Sequence, residues 1–524
     1  MHLGIDFGTT RTVVAAVDRG NYPVISFQTE TGDMQPWYPS LIAVHGSQTL
    51  FGIDAQTHMG EPEWIFLRSL KRSLGELAPD SAVTISGQSF PAFDLLVQYL
   101  THLRTALYNR SNLEVSSKEP LEALIAVPAN ANSNQRFLTL EAFRRAGFRI
   151  LGMINEPSAA GIEFAHQHAT NEWAVRKEYL VVYDLGGGTF DASVIGRENQ
   201  CHQVITDEGI ARLGGDDFDL LLRDMALARA GAGTALSEAA SYQLLEECRR
   251  QKESLHPNTR KIAVDLGRSM EGAGTAIIPV EEFYAHCQPL VERTIAAVEA
   301  AMARARQSDD VVWNDVAVVY LVGGSAELPI VGRMLRERYG RRVRRSPYPH
   351  SATAIGLAIA ADAAAGHVLR ERFTRHFGVW READCGSRVI FDPIFDKDTL
   401  LPRPEKPPLL HTRSYRPAHN VGHFRYLECS RLNEEGQPDG DITPWDEVVF
   451  ALDPALRLEP RLELLEVRRS DRIDEQEIEE SYLCNAHGVI EVTITNRTAG
   501  YAQKCRLRVA SAHRSKRKNN NGRN

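Results

Sequence analysis

The sequence predicts an α/β protein followed by a smaller, mainly β unit. Three observations carry that expectation. Up to about residue 365, apolar β-rich runs alternate with helix-patterned segments. Beyond residue 373, proline-rich stretches and strand-like alternation replace helical periodicity. At 524 residues the chain is too long for one hydrophobic core, so several domain-sized units are expected. Hydrophobic residues at 43% and charged residues at 24% exclude a disordered or fibrous class. A net charge of −8 gives no global attraction to nucleic acid or an anionic membrane surface, and neither partner is expected.

The chain opens with MHLGIDFGTT, which reads as a strand and has no basic segment followed by an apolar core, so no secretory signal is expected. LEALIAVPA (121–129), YLVVYDLGGG (179–188) and VAVVYLVGG (316–324) run apolar and end in small or breaker residues, which predicts strands. WIFLRSLKRSL, SNQRFLTLEAFRRAGF and SYQLLEECRRQKESL space apolar residues by three and four, which predicts helices. Such alternation builds a partly parallel sheet, with ligands held beyond the carboxyl ends of its strands, where the glycine turns fall. The longest apolar run, ATAIGLAIAADAAA (352–365), contains Gly356 and Asp362 and is shorter than the ~20 residues a membrane span needs. It predicts a buried, tightly packed helix in a soluble, cytoplasmic protein.

GHVLRERFTR reads as a connector. After it, HFRYLECSR and GVIEVTITN alternate like strands, and NAHG (485–488) predicts a tight turn. The charged stretch 456–480 is compatible with a helical insertion or a long solvated loop, and the basic, Asn-rich residues 511–524 predict a disordered tail. The seven cysteines are odd in number and scattered without a CxxC pair, which predicts reduced, buried thiols and neither a disulfide framework nor a zinc site.

One phrase occurs twice: IDFGTT (5–10) and YDLGGGTFDAS (183–193). A strand ending in Asp, then glycines, then a hydroxyl side chain outlines a phosphate and Mg²⁺ site. Glycines let backbone N–H groups approach phosphate oxygens, and the carboxylate holds a hydrated metal. One copy is also an ordinary β-turn. Two copies, each at the mouth of an apolar strand, suggest two similar lobes that grip one nucleotide. Lys71 and Arg72 are either solvated helix charges or phosphate contacts, and Glu156 in INEPSAAG is either a helix N-terminal acid or a site residue. DEGIARLGGDDFD (207–219) and LVGGSAELP (321–329) supply further glycine turns. His166 and His168, at i and i+2, do not share a helix face and read as surface residues rather than metal ligands.

The ordered set IDFGTT, SLKRSLG, AVPANANSNQR, INEPSAA, YDLGGGTFDAS, RLGGDDFD and LVGGSAELP resembles the nucleotide-binding domain of Hsp70 chaperones, within the actin, hexokinase and Hsp70 superfamily. HFGVW, DKDTLLPRPE and NAHGVIEVTI resemble the Hsp70 peptide-binding β domain. The resemblance implies a two-lobed, actin-like (ribonuclease H-like) ATPase domain at 1–365, a linker at 366–376 and a β-sandwich-like substrate domain at 377–510. It implies slow ATP hydrolysis to ADP coupled to polypeptide binding, with Mg²⁺ and with K⁺ as a further candidate ion. Its implied partners are a polypeptide client, a J-domain cochaperone and a nucleotide exchange factor. The alternative is a nonenzymatic ATP sensor or scaffold. A small-molecule kinase of the same superfamily is disfavoured, because it leaves the β unit unexplained.

Position by position, the resemblance lines the phosphates with Asp6, Gly8, Thr9, Thr10, Gly186, Gly187, Gly188 and Thr189, and sets Asp6 and Asp184 around hydrated Mg²⁺. Lys71 would reach the terminal phosphate and the attacking water, with Glu156, Asp184, Asp191 and Thr189 ordering that water and its ions. Gly214, Gly215, Lys252, Gly323, Gly324 and Ser325 would face the sugar and base. Pro128 and Arg136 match the pair that couples nucleotide state to the peptide domain. Several positions depart from the pattern. Arg249 and Glu253 stand where an acid and a base are usual beside adenosine, and His256 near the usual serine. Glu327 replaces an arginine that stacks on adenine, and the connector is basic. Gly422 falls where a valine lines the central peptide pocket. The residues after the β unit leave no room for a long helical lid, so a lidless member is expected.

Overall fold

The computed structural model describes residues 1–505 except 62, 69, 75–80, 86, 169–177, 199, 232–235, 271, 384–387, 404, 446 and 470–472. The predicted tail and Cys385 lie outside the described residues. The other six cysteines are free thiols, and five of them are buried. Two compact units are present. The first takes in Met1–Leu74, Ser81–Asn130 and Thr139–Arg370; the second takes in Ala131–Leu138 and, among described residues, 371–505.

The first unit contains one strand plan built twice. In one sheet His2–Phe7 pairs antiparallel with Arg11–Ala16 and parallel with Glu122–Val127, which in turn lies parallel to Arg149–Asn155. In the other, Glu178–Leu185 pairs antiparallel with Phe190–Glu198 and parallel with Val316–Val322, which lies parallel to Val343–Arg345. The three apolar strands predicted from the sequence are the central parallel strands of these sheets. Each is buried on both faces, which is why each reads as an unbroken apolar run.

Two helices knit the sheets. Ala352–Ala361 sets Ala354 and Ala358 against Val13 and Ala15 of the first sheet, and Leu357 against Leu124, Ala126 and Ala159. Glu156–Gln167 sets Ala160 and Phe164 against Leu180, Val182 and Ile195 of the second. The long apolar run is therefore the buried helix its composition predicts, and among the described residues no helix is long and apolar enough to cross a membrane. The opposite face of the second sheet is covered by Gly215–Arg229, Glu238–Glu253 and Val280–Asp309, through Phe218, Leu222, Leu244, Phe283, Val291 and Val298.

WIFLRSLKRSL is not the helix its spacing predicts. Ile65–Arg68 is a strand paired with Leu41–His45, and only Leu70–Ser73 makes one helical turn. Sheet pairing and the burial of Lys71 override the local period. In the connector, Val368–Arg370 forms a short strand parallel to Cys201–Gln203.

The second unit is a β sandwich. One sheet runs Arg388–Phe395, His376–Ala383, Val421–Leu432, Pro438–Pro444; the other runs Leu409–Tyr415, Ile478–Cys484, Ile490–Asn496, Tyr501–Cys505. Phe377, Val379 and Tyr426 of the first meet Ile478, Tyr482 and Ile494 of the second in one core. The NAHG turn closes a hairpin through Gly488 N–H to Asn485 O at 3.0 Å, with Gly488 at φ +71°. The ambiguous stretch 456–480 contains no α-helix among its described residues. It carries the 3₁₀ turn Leu462–Leu464 and ends in the strand from Ile478. Inside the sandwich, Arg381 forks onto Glu480 at 2.8 and 3.0 Å, and Asp392 bridges Arg381 and Arg413.

Candidate functional site

Asp6 and Asp184 hold corresponding places near the carboxyl ends of the first strand of each sheet, and each strand turns back through its glycine-threonine loop. The first loop is closed by Gly8 N–H to the carbonyls of Asp6 and Arg11 at 3.1 Å, the second by Gly186 N–H to Thr189 O at 3.0 Å. The two loops interlock. A side chain at Gly187 would run into the Thr10 hydroxyl, and one at Gly188 would come within 3.0 Å of Thr9. Gly323 has φ +84°, and a Cβ there would strike Leu185 O and the Asp184 carboxylate. Such sterics require glycine whether or not a ligand is present, and they leave a cradle of backbone amides between the sheets.

That cradle opens into a cavity of about 390 Å³. Asp6, Gly8, Thr9 and Thr10 line it from the first sheet, Asp184, Gly186, Gly187 and Thr189 from the second. Lys71 and Glu156 join them, and Gly215, Lys252, Gly323, Gly324 and Ser325 line the far end. Gly188, Gly214 and Asp191 are not part of this lining. Asp191 pairs across its hairpin with Asp184 and accepts from Asn130 N–H at 3.4 Å. Pro128 is buried just after Glu122–Val127, and Arg136, 4% exposed, is in the first turn of Ser133–Arg145.

The electrostatics are concentrated in one cluster. Lys71 is 6% exposed and donates to Glu156, itself the first residue of its helix. Of the two readings open for Lys71, burial excludes the solvated charge: one helical turn at the end of an edge strand points it inward. Burial alone would lower the Lys71 pKa, but Glu156, Asp6 and Asp184 outweigh it and the net shift is upward. Burial raises Asp6 to about 7, with Lys71 opposing and Glu156 adding to the rise. Asp184 and Asp191 are pushed well up by burial and then by Glu156. Carboxylates that resist ionisation beside a single ammonium are a donor set that suits a hydrated divalent cation, which supplies the missing positive charge. Among the described residues no three such groups converge closely enough to ligate an ion directly, so the fit is to a cation held through water.

At the far end the charges are paired with one another. Arg249 binds Asp216 at 2.8 Å and Asp219 at 3.3 Å; Lys252 binds Asp219 and Gly215 O, both at 2.7 Å. Glu327 pairs with His350 at 2.8 Å. Arg11 reaches Glu253 at 2.8 Å and His350 Nδ1 at 3.3 Å, with its guanidinium 4.7 Å from the Trp37 ring centre. Sequence reasoning missed Arg11 and His350. Arg11 directly follows IDFGTT and could have been flagged by adjacency; His350 carries no local signal and is brought in by the Pro349 turn.

Two other readings change. His166 is not a free surface residue: its Nδ1 lies 3.4 Å from His367 Nε2, and His367 Nδ1 lies 2.9 Å from His202 Nε2. At Gly422 the space a side chain would need is filled, because a Cβ would come within 2.7 Å of the Phe424 ring and 3.2 Å of Leu452.

Two lobes of one strand plan, with a carboxylate-lysine centre between paired glycine loops, define an actin-like nucleotide-binding fold. Residues 80–373, more than half of the chain, match the family described as Hsp70 protein, and the chain belongs to the Hsp70 family. It is similar to the "Chaperone protein HscA homolog" of Pseudomonas fluorescens (strain SBW25), with 31% identity over 382 residues, 70% of this chain and 58% of the relative. The "Chaperone protein HscA" of Proteus mirabilis (strain HI4320) is 31% identical over 381 residues, with the same coverage. The "Chaperone protein DnaK" of Mycoplasmopsis synoviae (strain 53) is 30% identical over 375 residues, 70% of this chain and 59% of the relative. The chain thus spans a little under three fifths of the length of these relatives.

Proposed function

We propose that this protein is an Hsp70-type chaperone that hydrolyses ATP slowly to ADP and phosphate and couples nucleotide state to polypeptide binding by its β unit. The observation that carries this reading is the Lys71–Glu156 pair buried against Asp6 and Asp184, at the seam of the two glycine-threonine loops.

The loop amides of both lobes would cradle the phosphates, and the Thr9, Thr10 and Thr189 hydroxyls would orient them. Lys71 would stabilise charge at the terminal phosphate, while Glu156, Asp184 and Asp191 hold the attacking water in line and accept its proton. Mg²⁺, when bound through water beside Asp6 and Asp184, supplies charge neutralisation for the phosphates; K⁺ is proposed as an additional ion there. Pro128 and Arg136 are proposed to relay nucleotide state, which requires ATP and ADP to favour different closures of the lobes. A cytoplasmic location, a polypeptide client, a J-domain cochaperone and an exchange factor are proposed by analogy with the named chaperones. With no room beside Gly422, the client surface is proposed elsewhere on the sandwich.

Phosphate release tests the reading. The wild type should turn over ATP, and Asp184→Asn and Lys71→Ala should lower the rate by about 10²-fold or more. ATP binding without turnover above these variants would leave only the sensor or scaffold.

A further inference from the structure

The base end of the cavity lacks the cation that the Hsp70 resemblance assigns to it. Glu327 occupies that position, and its carboxylate is engaged by His350 at 2.8 Å. A carboxylate cannot offer a purine face what a guanidinium offers. Arg249 and Lys252 do not replace it, because both are held by Asp219, and Arg249 also by Asp216 and Glu246.

Arg11 has a different geometry. It lines the cavity, while Trp37, 4.7 Å from the guanidinium, does not. The aromatic ring packs on the guanidinium without itself lining the cavity. Two partners fix its orientation: Glu253 at the end of Glu238–Glu253, and His350 just before Ala352–Ala361. Arg11 belongs to the strand Arg11–Ala16 of the first sheet, so these links cross the cavity from one lobe to the other.

We propose that Arg11, backed by Trp37, is the platform on which this protein stacks the purine base of its nucleotide, and that it sets both base affinity and nucleotide release. The proposal rests on the nucleotide reading of the cleft. A planar guanidinium held by an acceptor on each side pays little ordering entropy when a base lands on it. Because the same guanidinium joins the lobes, the base seals its own exit: release requires the Arg11–Glu253 and Arg11–His350 links to part. Arg345, also on the cavity lining, is the competing cation.

The test compares Mg-ADP with Mg-tripolyphosphate, which shares the phosphates but has no base, as ligands of the full chain. Arg11→Ala should raise the Mg-ADP dissociation constant and off-rate roughly tenfold and leave tripolyphosphate within about twofold. Trp37→Leu should weaken Mg-ADP in the same selective way, and Arg11→Lys should behave like Arg11→Ala, since it keeps charge but not the planar face. Adding Glu327→Arg to Arg11→Ala should recover most of the lost ADP affinity. Equal loss of both ligands, unchanged ADP binding, or selective loss on Arg345→Ala alone would overturn the platform while leaving the nucleotide reading intact. A wild type that binds neither ligand overturns both.

Discussion

Asp6, Glu156 and Asp184 share the Lys71 ammonium, Asp191 adjoins Glu156 and Asp184, and all five residues are buried or nearly so. That imbalance gives a pH signature. Burial raises Asp6 from 3.8 to about 7, and moves Asp184 and Asp191 in the same direction. Between these values the folded protein keeps protons that the unfolded chain has released. The stabilisation is therefore fully present below pH 3.8 and lost as pH rises through about 7. In metal-free buffer the melting temperature of the nucleotide unit should fall between pH 5 and 8, by several degrees. Added Mg²⁺ should recover it, and Asp6→Asn should make the profile shallower. Calorimetry at fixed ionic strength decides; a wild-type profile that is already flat sinks the account. Lys71→Ala removes the cation that opposes the rise at Asp6 and Asp184, so beyond its kinetic effect it should move their titration further upward.

Loop geometry makes predictions of its own. Gly323 has φ +84°, and a Cβ there would strike Leu185 and Asp184, so Gly323→Ala should cost about 1–3 kcal/mol and also displace Asp184. Its mark is a joint loss of stability and of Mg-nucleotide affinity in a thermal and binding assay. Gly488→Ala has the same backbone problem at φ +71° but lies in the sandwich hairpin. It should destabilise the β unit by about 1 kcal/mol and leave nucleotide affinity unchanged. Equal effects of the two substitutions on nucleotide binding would contradict the separate roles given to the two elements.

For the molecule, ligand linkage gives the broadest check. Mg-nucleotide at a hundred times its dissociation constant should stabilise the unit that holds the cleft by about 2.7 kcal/mol. Asp184→Asn should abolish that gain at the same concentration. The gain requires both lobes, because Asp6 and Asp184 belong to different sheets, which the helices Glu156–Gln167 and Ala352–Ala361 help to join.

Legibility followed the physics of each segment. The repeated phrase at Asp6 and Asp184 could be read because a strand followed by a tight glycine turn imposes residue types at fixed short spacing. The buried helix at 352–361 could be read because it is apolar all round, and the NAHG turn because its φ demands glycine. WIFLRSLKRSL could not: its apolar spacing suits a helix in isolation, and only pairing with Leu41–His45 makes a strand of it. By its local pattern alone Lys71 could not be told from a surface charge, and the fold aims it at Glu156.

The sequence by itself determined that there are two glycine-threonine loops after apolar strands, that they head similar lobes, and that a β unit follows, since these features are written in local periodicity and turn chemistry. The tertiary structure decided which charges pair with which. Arg249 and Lys252, plausible base contacts by position, are bound to Asp219, whereas Arg11, Glu253 and His350, distant in the chain, meet across the cavity. Ion pairing depends on through-space distance and burial, and neither is encoded in the spacing of residues along the chain.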